Sequence, residues 1–314
     1  MRGRTGFTYG GQAVLEGVMI RGQRHIAVAV RRPDNTIAST TKPLNPMFTG
    51  KLRRLPLVRG VIALIETLAL GAWALNYSAA VNLEAEGEEM SKGAMAMTLA
   101  VSLLFAVGLF FVLPVFASRP FEGYLGSNLV SNIAEGAIRM ALFLAYIVLI
   151  GRMRDIRRVF MYHGAEHMTV HAQERGLTLE PDNVRRFSTA HPRCGTAFLL
   201  VVMVVAIIAF VFVGREPLWW LVLSRIVLVP VVAAVAYEIL RLSGRYADNP
   251  LVRIITGPSL ALQSLTTRQP EDGQIEIAIE AMRIAIAADA GEPVSSADGN
   301  RDEEQRGQAE PETP

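Results

Sequence analysis

The sequence predicts an α-helical, polytopic membrane protein of about four transmembrane helices, with a small cytoplasmic N-terminal β-subdomain and a C-terminal amphipathic helix. Of the 314 residues, 51% are hydrophobic and only 19% are charged, whereas a soluble domain carries about 25% charged residues. Uncharged stretches long enough to cross a bilayer are separated by arginine-rich segments. Cys194 is the single cysteine, which excludes a disulfide scaffold.

The order of these features predicts how the chain is organised. The predicted segments are a β-subdomain (1–56), an amphipathic or re-entrant segment with an acidic loop (57–93), a first transmembrane pair (94–151), a cytoplasmic histidine-rich helix and loop (152–195), a second transmembrane pair (196–242), a cytoplasmic C-terminal helical region (243–288) and a disordered acidic tail (289–314).

The N-terminal segment has the pattern of a small sheet. Ile26, Val28 and Val30 alternate with other residues ahead of a Pro-Asp-Asn turn at 33–35. This alternation predicts a β-hairpin over residues 25–40. Glycines surround the preceding apolar stretch 13–20, which predicts a short strand whose turns need the conformational freedom of glycine.

Four apolar stretches are predicted to span the bilayer. Ala94–Ser118 carries no charge and exceeds the roughly 20 apolar residues that a transmembrane helix needs. The other predicted spans are 132–151, 196–214 and 218–240. Within the first of these, Glu135 and Arg139 lie one helical turn apart and can form an ion pair.

The distribution of basic residues predicts the orientation. Residues 1–59 contain 11 Lys/Arg against two acids, and residues 152–193 contain 8 Arg against five acids. Such segments face the cytoplasm, and four spans place both of them there. Residues 58–81 are also apolar but contain Arg59 and Glu66, so this stretch could span, re-enter or lie on the surface. We predict a multi-pass inner-membrane protein with both termini in the cytoplasm and no secretory signal.

The C-terminal region contains an amphipathic helix at 274–288. Its apolar face is formed by Ile275, Ile279, Met282 and Ile286. We expect this face to dock on the β-subdomain or on the membrane surface. The last 26 residues, from Asp289, contain eight acids and are predicted to be disordered.

Four of the five histidines lie within 29 residues, at 163, 167, 171 and 191. On a helix, His163, His167 and His171 form one stripe, with Glu174 between them. Imidazoles at i and i+4 can bind one cation such as zinc or another divalent metal. Glu166, in the pattern His-x-x-Glu-His, is placed to take a proton from water as a general base. The alternative is a structural cluster whose histidines bond to backbone and carboxylates at the membrane surface.

Further metal ligands must come from outside this pair. The candidates are His171, His191, Cys194 and Glu238. A lone cysteine near a membrane is also compatible with a role as an inert small hydrophobic residue. Glu238 lies in an apolar helix, where its alternative role is an ion pair with Arg225 or Arg241.

Two more carboxylates are candidates for the same site. Glu16 lies between glycines in a predicted strand, and Glu66 lies in an otherwise apolar helix. Each of these carboxylates either completes the metal site or has a structural role, as a cap or in an ion pair. The basic stretches lack interleaved aromatic residues, so we predict no nucleic-acid partner. The lipid bilayer is their expected partner, and the sequence leaves open a cytoplasmic protein partner and a homo-oligomer.

Several motifs together resemble those of a known family. They are Tyr9–Met19, Arg158–His167, His191–Thr196 and Leu265–Thr267. They resemble the YqhQ-like family, which comprises bacterial membrane proteins of unknown function, and the resemblance covers about residues 7–285. It implies a shared set of Glu16, His163, Glu166, His167, His191 and Cys194. Members are described as metal-dependent enzymes because of the same histidine pattern. At Gln269 relatives tend to carry an acid, so we do not expect Gln269 to be an indispensable acid or ligand.

These observations favour an integral membrane protein with a cytoplasm-facing metal site, which would act as a metal-dependent hydrolase at the membrane surface. The alternative is a non-enzymatic factor in membrane-protein or envelope biogenesis with a structural histidine cluster. A transporter ranks last, because it would need polar residues along several spans.

Overall fold

The computed structural model describes residues 8–85, 92–192, 194–246 and 249–294. The strands are β1 (Gly10–Val14), β2 (Gly17–Arg21), β3 (His25–Arg31) and β4 (Ile37–Pro43). The helices are α1 (Pro46–Thr49), α2 (Val58–Ala85), α3 (Lys92–Val107), α4 (Leu113–Ser118), α5 (Glu122–Leu125), α6 (Asn128–Ile150), α7 (Arg154–Glu174), α8 (Pro181–Val184), α9 (Gly195–Val211), α10 (Leu218–Val227), α11 (Val229–Arg245), α12 (Pro250–Thr266) and α13 (Asp272–Ala290). A π-helical segment, Gly108–Val112, joins α3 to α4.

The four strands form one antiparallel sheet in the order β1-β2-β3-β4, which confirms the predicted hairpin of β3 and β4. The stretch before it forms a second hairpin, in which Val14 pairs with Gly17. The expectation that Glu16 lies within a strand is wrong. Glu16 lies in the two-residue turn between β1 and β2 and has a φ of 51°, in the left-handed region that non-glycine residues adopt mainly in turns.

Both faces of the sheet are covered by helices. Side chains alternate along a strand, so Val18 and Ile20 of β2 face the core shared with α7 and α13, while Met19 faces the core shared with α2. Residues 26–30 of β3 are fully buried. Segments that lie far apart in the sequence therefore form one three-layer unit of α2, the sheet, and α7 with α13.

The C-terminal helix α13 docks on the sheet, one of the two locations expected for it. Ile275, Ile279 and Met282 of the predicted apolar face are buried in the core with β2 and β3. The helix continues to Ala290, so the boundary of the predicted tail at residue 289 is too early. Asp289 belongs to the helix and is 9% exposed. Residues 295–314 of the predicted tail lie outside the described part of the chain.

Asp289 closes the turn between β2 and β3. Its carboxylate accepts hydrogen bonds from the backbone amides of Gln23, Arg24 (2.8 Å) and His25 (3.0 Å). Burial raises the pKa of this carboxyl, but the backbone and His25 hydrogen bonds outweigh burial, so that the pKa is lowered from its usual value. A carboxylate with a lowered pKa stabilises the fold above the unfolded pKa of about 3.9, and this stabilisation is lost as the pH falls through the folded value.

We expect Asp289→Asn to lower the free energy of unfolding at pH 7 by about 1–3 kcal/mol, because three amides lose a charged acceptor. The measurement is thermal unfolding of the purified protein in detergent. The matched control is Glu292→Gln, an exposed acid in the same region, which should have no effect. The difference in the free energy of unfolding between wild type and Asp289→Asn should become smaller as the pH is lowered to 3 and below. A difference that stays constant with pH would contradict the role given to this carboxylate.

Among the described residues, three helical stretches are long and apolar enough to cross a bilayer: Val58–Glu84, Gly93–Tyr124 and Asn128–Ile150. The pair Leu218–Val227 and Val229–Ser243 forms a fourth if it is counted as one span bent by 42°. Pro230, in the first turn of α11, lies at this break because it cannot donate the backbone hydrogen bond of a continuous helix. The expected span 196–214 is the shorter apolar helix α9, with 17 residues.

A buried cluster of charges ties α6 to α10 and to the loop before it. Glu135 accepts hydrogen bonds from Arg139 (2.7 Å), Arg215 (2.8 Å) and Arg225 (2.9 Å). This confirms the predicted pairing of Glu135 with Arg139. All four side chains are less than 5% exposed, so these charged groups face the interior between the helices, the location expected of charged residues in apolar helices.

The helix α2 meets the sheet along its length, although it is apolar enough to span. Its contacts with three strands are Gly71 with Gln12, Glu66 with Arg21, and Trp73 with Lys42. Ile65, Leu68 and Leu75 point away from the sheet and are 44–63% exposed. Open sheet edges do not occur in the hydrocarbon region, so a helix packed along a sheet fits the membrane surface better than the bilayer core.

We therefore expect α2 to lie in the plane of the interface with these three residues toward the lipid. Nitroxide labels on single-cysteine substitutions at positions 65, 68 and 75 should report the same shallow depth in vesicles by power-saturation electron paramagnetic resonance. The parent protein treated with the same nitroxide reagent, whose Cys194 is buried, gives the background. A spanning helix would instead separate the labels at 65 and 75 by about 15 Å in depth, because a helix rises about 1.5 Å per residue.

Candidate metal centre

The candidate site lies where α7 meets the loop 189–194 and the end of α12. The helix α7 carries His163, Glu166, His167 and His171 on a single continuous run from 154 to 174. The loop leads into α9, whose first turn is capped by the Cys194 side chain. Residues that are 20–100 positions apart in the chain thus meet beside the apolar helices.

Three of the predicted ligands converge on one point. One ligand atom each from His163, His167 and Cys194 lies within 4.8 Å of the other two, and the Nε2 atom of His163 is 3.2 Å from the Sγ atom of Cys194. In a tetrahedral zinc site, nitrogen and sulfur ligands are separated by about 3.3–3.6 Å, from bond lengths of about 2.0–2.3 Å. The donor set and its spacing therefore fit a zinc ion.

Backbone carbonyls fix the orientation of both imidazoles. The Nδ1 atom of His163 donates to the carbonyl of Thr266 (2.9 Å), and Nδ1 of His167 donates to that of Thr189 (2.6 Å). Each Nε2 atom is then the unprotonated nitrogen, which is the form that binds a metal. Ligating histidines usually donate their second nitrogen to such an acceptor. The two ring-to-carbonyl hydrogen bonds are therefore those expected of a structural histidine cluster, and they also orient the rings for binding a metal.

Burial also favours neutral His167. The residue is 2% exposed, and this burial lowers the pKa of its imidazole, opposed by its interactions with Cys194 and Thr189. A neutral ring keeps its lone pair for a cation.

Glu166 faces the same point from the sheet side. It is 3% exposed, its carboxylate oxygen lies 3.5 Å from Nε2 of His167, and the amide of Gly11 donates a hydrogen bond to it. Burial raises the pKa of Glu166, while the nearby His163 and His191 act to lower it. In the hairpin register, Gly11 directs its amide outward from β1.

The site opens onto a small cavity of about 40 Å³. Its lining combines the edge of β1 with the candidate ligands: Tyr9, Gly10, Gly11, Glu166, His167, Val170, His191, Cys194 and Gly195. A volume of about 10–15 Å³ accommodates the centre of one water. The cavity therefore has room for water beside Glu166 and two of the three converging ligands.

Two glycines allow the close packing around the site. A Cβ atom on Gly164 would lie 2.2 Å from the carbonyl oxygen of Arg268, and one on Gly11 would lie 2.3 Å from that of Met19 and 3.0 Å from Cγ of Glu166. The small residue inside the His-Gly-Ala-Glu-His motif is therefore needed for α7 to approach the chain after α12.

Sequence reasoning missed the contribution of α12. Gln263 is fully buried and clamps the backbone of His191, accepting from its amide (2.8 Å) and donating to its carbonyl (2.9 Å). Three residues later, the carbonyl of Thr266 orients His163. The available signal was an amide side chain within the apolar stretch before Leu265, but nothing in the sequence indicated its partner.

Two predicted candidates lie elsewhere and are paired. Glu66 is bonded to Arg21 and Arg53 on the face of the sheet that packs against α2, opposite the face that α7 covers. Glu238 pairs with Arg59 and accepts from the amide of Leu57. The predicted partners Arg225 and Arg241 are therefore wrong, because the fold brings the start of α2 against α11.

Glu16 contacts α7 just before His163, at Arg158 and Tyr162. Its carboxylate accepts hydrogen bonds from Arg158 (2.6 Å) and from the Tyr162 hydroxyl (3.2 Å). It thereby holds the β1–β2 turn against the helix. Its partners are those of a positioning residue, and it does not line the cavity.

Comparison with known proteins places the chain in a family. The family described as "Protein of unknown function (DUF1385)" matches residues 55–288. The chain belongs to this family. A relative, "Uncharacterized protein YqhQ" of Bacillus subtilis (strain 168), is 35% identical over 297 residues, which cover 90% of this chain and 93% of the relative. No solved structure matches.

Membership in the DUF1385 family confirms the resemblance found in the motifs. The matched region contains all of α7, the loop 189–194 and α12. Neither description names an activity, so chemistry at the site must be argued from its geometry.

Proposed function

We propose that the protein is a membrane-bound, metal-dependent hydrolase that acts on an acyl or amide bond, such as a peptide bond, at the cytoplasmic surface of the inner membrane. His163, His167 and Cys194 would hold a zinc ion. Glu166 would act as the general base. The observation that carries the proposal is that these three ligands converge beside a water-sized cavity that Glu166 also lines.

The donor set supports catalysis more than a purely structural role. Structural zinc sites have four protein ligands, whereas catalytic sites have three and keep one position open. Among the described residues, one triad with His163, His167 and Cys194 converges, and the cavity lies beside it. A zinc ion there would polarise a substrate carbonyl and promote the ionisation of water.

Residues of the chain would perform the proton transfers. Glu166 would accept a proton from the water that attacks the carbonyl carbon and would donate it to the departing amine or alcohol. The Gly11 amide holds the carboxylate in place, and the low exposure of Glu166 and His167 excludes bulk water. The apolar helices that flank the site would keep the reaction close to the membrane surface.

Metal analysis of the purified full-length protein tests the proposal. Wild-type protein should contain zinc in stoichiometric amount by inductively coupled plasma mass spectrometry. The His163→Ala/His167→Ala double variant should lose it, and His25→Ala, which removes a histidine on the sheet away from the site, should retain it. Wild-type protein that binds no divalent metal would overturn the proposal.

The competing function is a non-enzymatic factor in membrane-protein or envelope biogenesis. One observation favours this function. Each of the three histidine rings of α7 bonds a backbone carbonyl of the loop 189–194 or of α12, so the histidines also hold these two segments against α7. Such a factor would need the fold of the cluster but not the carboxylate of Glu166. The Glu166→Gln variant therefore separates the two functions.

A further inference from the structure

We infer that the site binds two cations, the second held by His171, Glu174 and His191. This inference rests on the proposed function, because it takes the His163, His167 and Cys194 triad as the first cation site. The second triad is geometrically separate from the first. One ligand atom from each of its three residues lies within 4.8 Å of the other two.

In the second triad, as in the first, a histidine ring of α7 bonds a backbone carbonyl. His171 donates from Nε2 to the carbonyl of Ala190 (3.0 Å), which leaves its other nitrogen as the unprotonated one. His191 is held through its backbone by the two hydrogen bonds of Gln263. Nε2 of His191 lies 3.4 Å from a carboxylate oxygen of Glu174. Two imidazoles and one carboxylate form a donor set that zinc and related divalent metals accept.

The two triads lie side by side in one row of rings. The ring centroids are 4.4 Å apart for His163 and His167, 5.7 Å for His167 and His191, and 4.4 Å for His191 and His171. His191 lines the same cavity as His167 and Cys194. A cation in the second triad would therefore lie beside the same cavity through His191, so that two cations could act on one substrate.

The anionic donors of the two triads differ in softness. The first contributes a sulfur ligand and the second a carboxylate that is 24% exposed. Sulfur selects softer metals such as zinc, while carboxylate oxygen also accepts harder ones. We expect the first triad to bind its cation more tightly and the second to bind a more exchangeable cation.

Cobalt titration of the metal-free full-length protein in detergent distinguishes the two triads. Wild type should bind two equivalents of Co²⁺, one of which produces the near-ultraviolet thiolate-to-cobalt charge-transfer band. Cys194→Ser should lose that band and keep one equivalent. Glu174→Gln should keep the band and bind one equivalent fewer. The control Glu276→Gln, which removes a carboxylate that is 54% exposed on α13, should behave as wild type.

The titration distinguishes failure of the second cation site from failure of the proposed function. One equivalent in wild type, with the band and unchanged by Glu174→Gln, would overturn the second cation and leave the proposed function standing. Two equivalents that survive Glu174→Gln would place the second cation elsewhere and also overturn the inference. No bound cobalt in wild type would overturn the inference and the proposed function together.

Discussion

Glu166→Gln should leave the metal content and the fold of the protein unchanged and lower hydrolysis by about 10²–10⁴-fold, the usual contribution of a general base. The substitution keeps the size of the side chain and an oxygen that can accept the hydrogen bond of Gly11, so packing should survive. It removes the group that can take a proton from water. Since Glu166 is absent from the converging ligands, the cation should remain.

The measurement combines metal analysis with mass spectrometric detection of products from a library of peptides and acyl esters incubated with the protein in detergent. Asp155→Asn is the matched control, because Asp155 is an exposed carboxylate on the same helix. It should hydrolyse the library as wild type does. Retention of wild-type turnover in Glu166→Gln would rule out the general-base role, and loss of metal in that variant would make Glu166 a ligand.

The largest expected effect on stability comes from Glu135→Gln. Glu135 is 1% exposed and shared by three arginines. Removing its charge leaves the guanidinium groups of Arg139 and Arg225 buried among apolar helices without the carboxylate that they share. Removing one partner of a buried ion pair lowers the free energy of unfolding by about 3–5 kcal/mol. Here a single carboxylate is the ion-pair partner of three arginines.

Thermal unfolding in detergent should therefore show a fall of at least about 3 kcal/mol in the free energy of unfolding for Glu135→Gln, or a failure of the variant to accumulate in the membrane. Glu216→Gln is the control at the same end of the bundle, since its carboxylate is 78% exposed and lies 4.0 Å from Arg119. It should change stability by less than about 0.5 kcal/mol. Equal stability of the two variants would show that the cluster does not hold the helices together.

Much of the local structure was predictable because it depends on residues close in the chain. The alternation of Ile26, Val28 and Val30 predicted the β3–β4 hairpin, and the spacing of His163 and His167 placed their side chains on one face of α7. The four-residue interval between Glu135 and Arg139 predicted their ion pair. Each of these inferences needs only the period of a helix or a strand.

Long-range partners were not predictable in the same way. Nothing near Glu238 in the sequence points to Arg59, which lies 179 positions away. Asp289 looked like the first residue of an acidic tail, because the backbone amides that donate to its carboxylate belong to a turn more than 260 residues earlier. The choice among the candidate ligands also depended on the fold, since only Cys194 approaches the first histidine pair closely enough to complete a triad with it.

By itself, the sequence determined the apolar helices, the N-terminal sheet pattern and the presence of a histidine stripe with a carboxylate beside it, since periodicity and composition act over a few helical turns. Only the tertiary structure decided that α2 packs along the sheet, that Glu66 and Glu238 pair away from the site, and that the histidines form two triads, each with a member that lines one cavity. The physical reason is that a binding site requires atoms within a few ångströms of one another. Those distances are set by the packing of α7, the loop 189–194 and α12, which local sequence patterns do not encode.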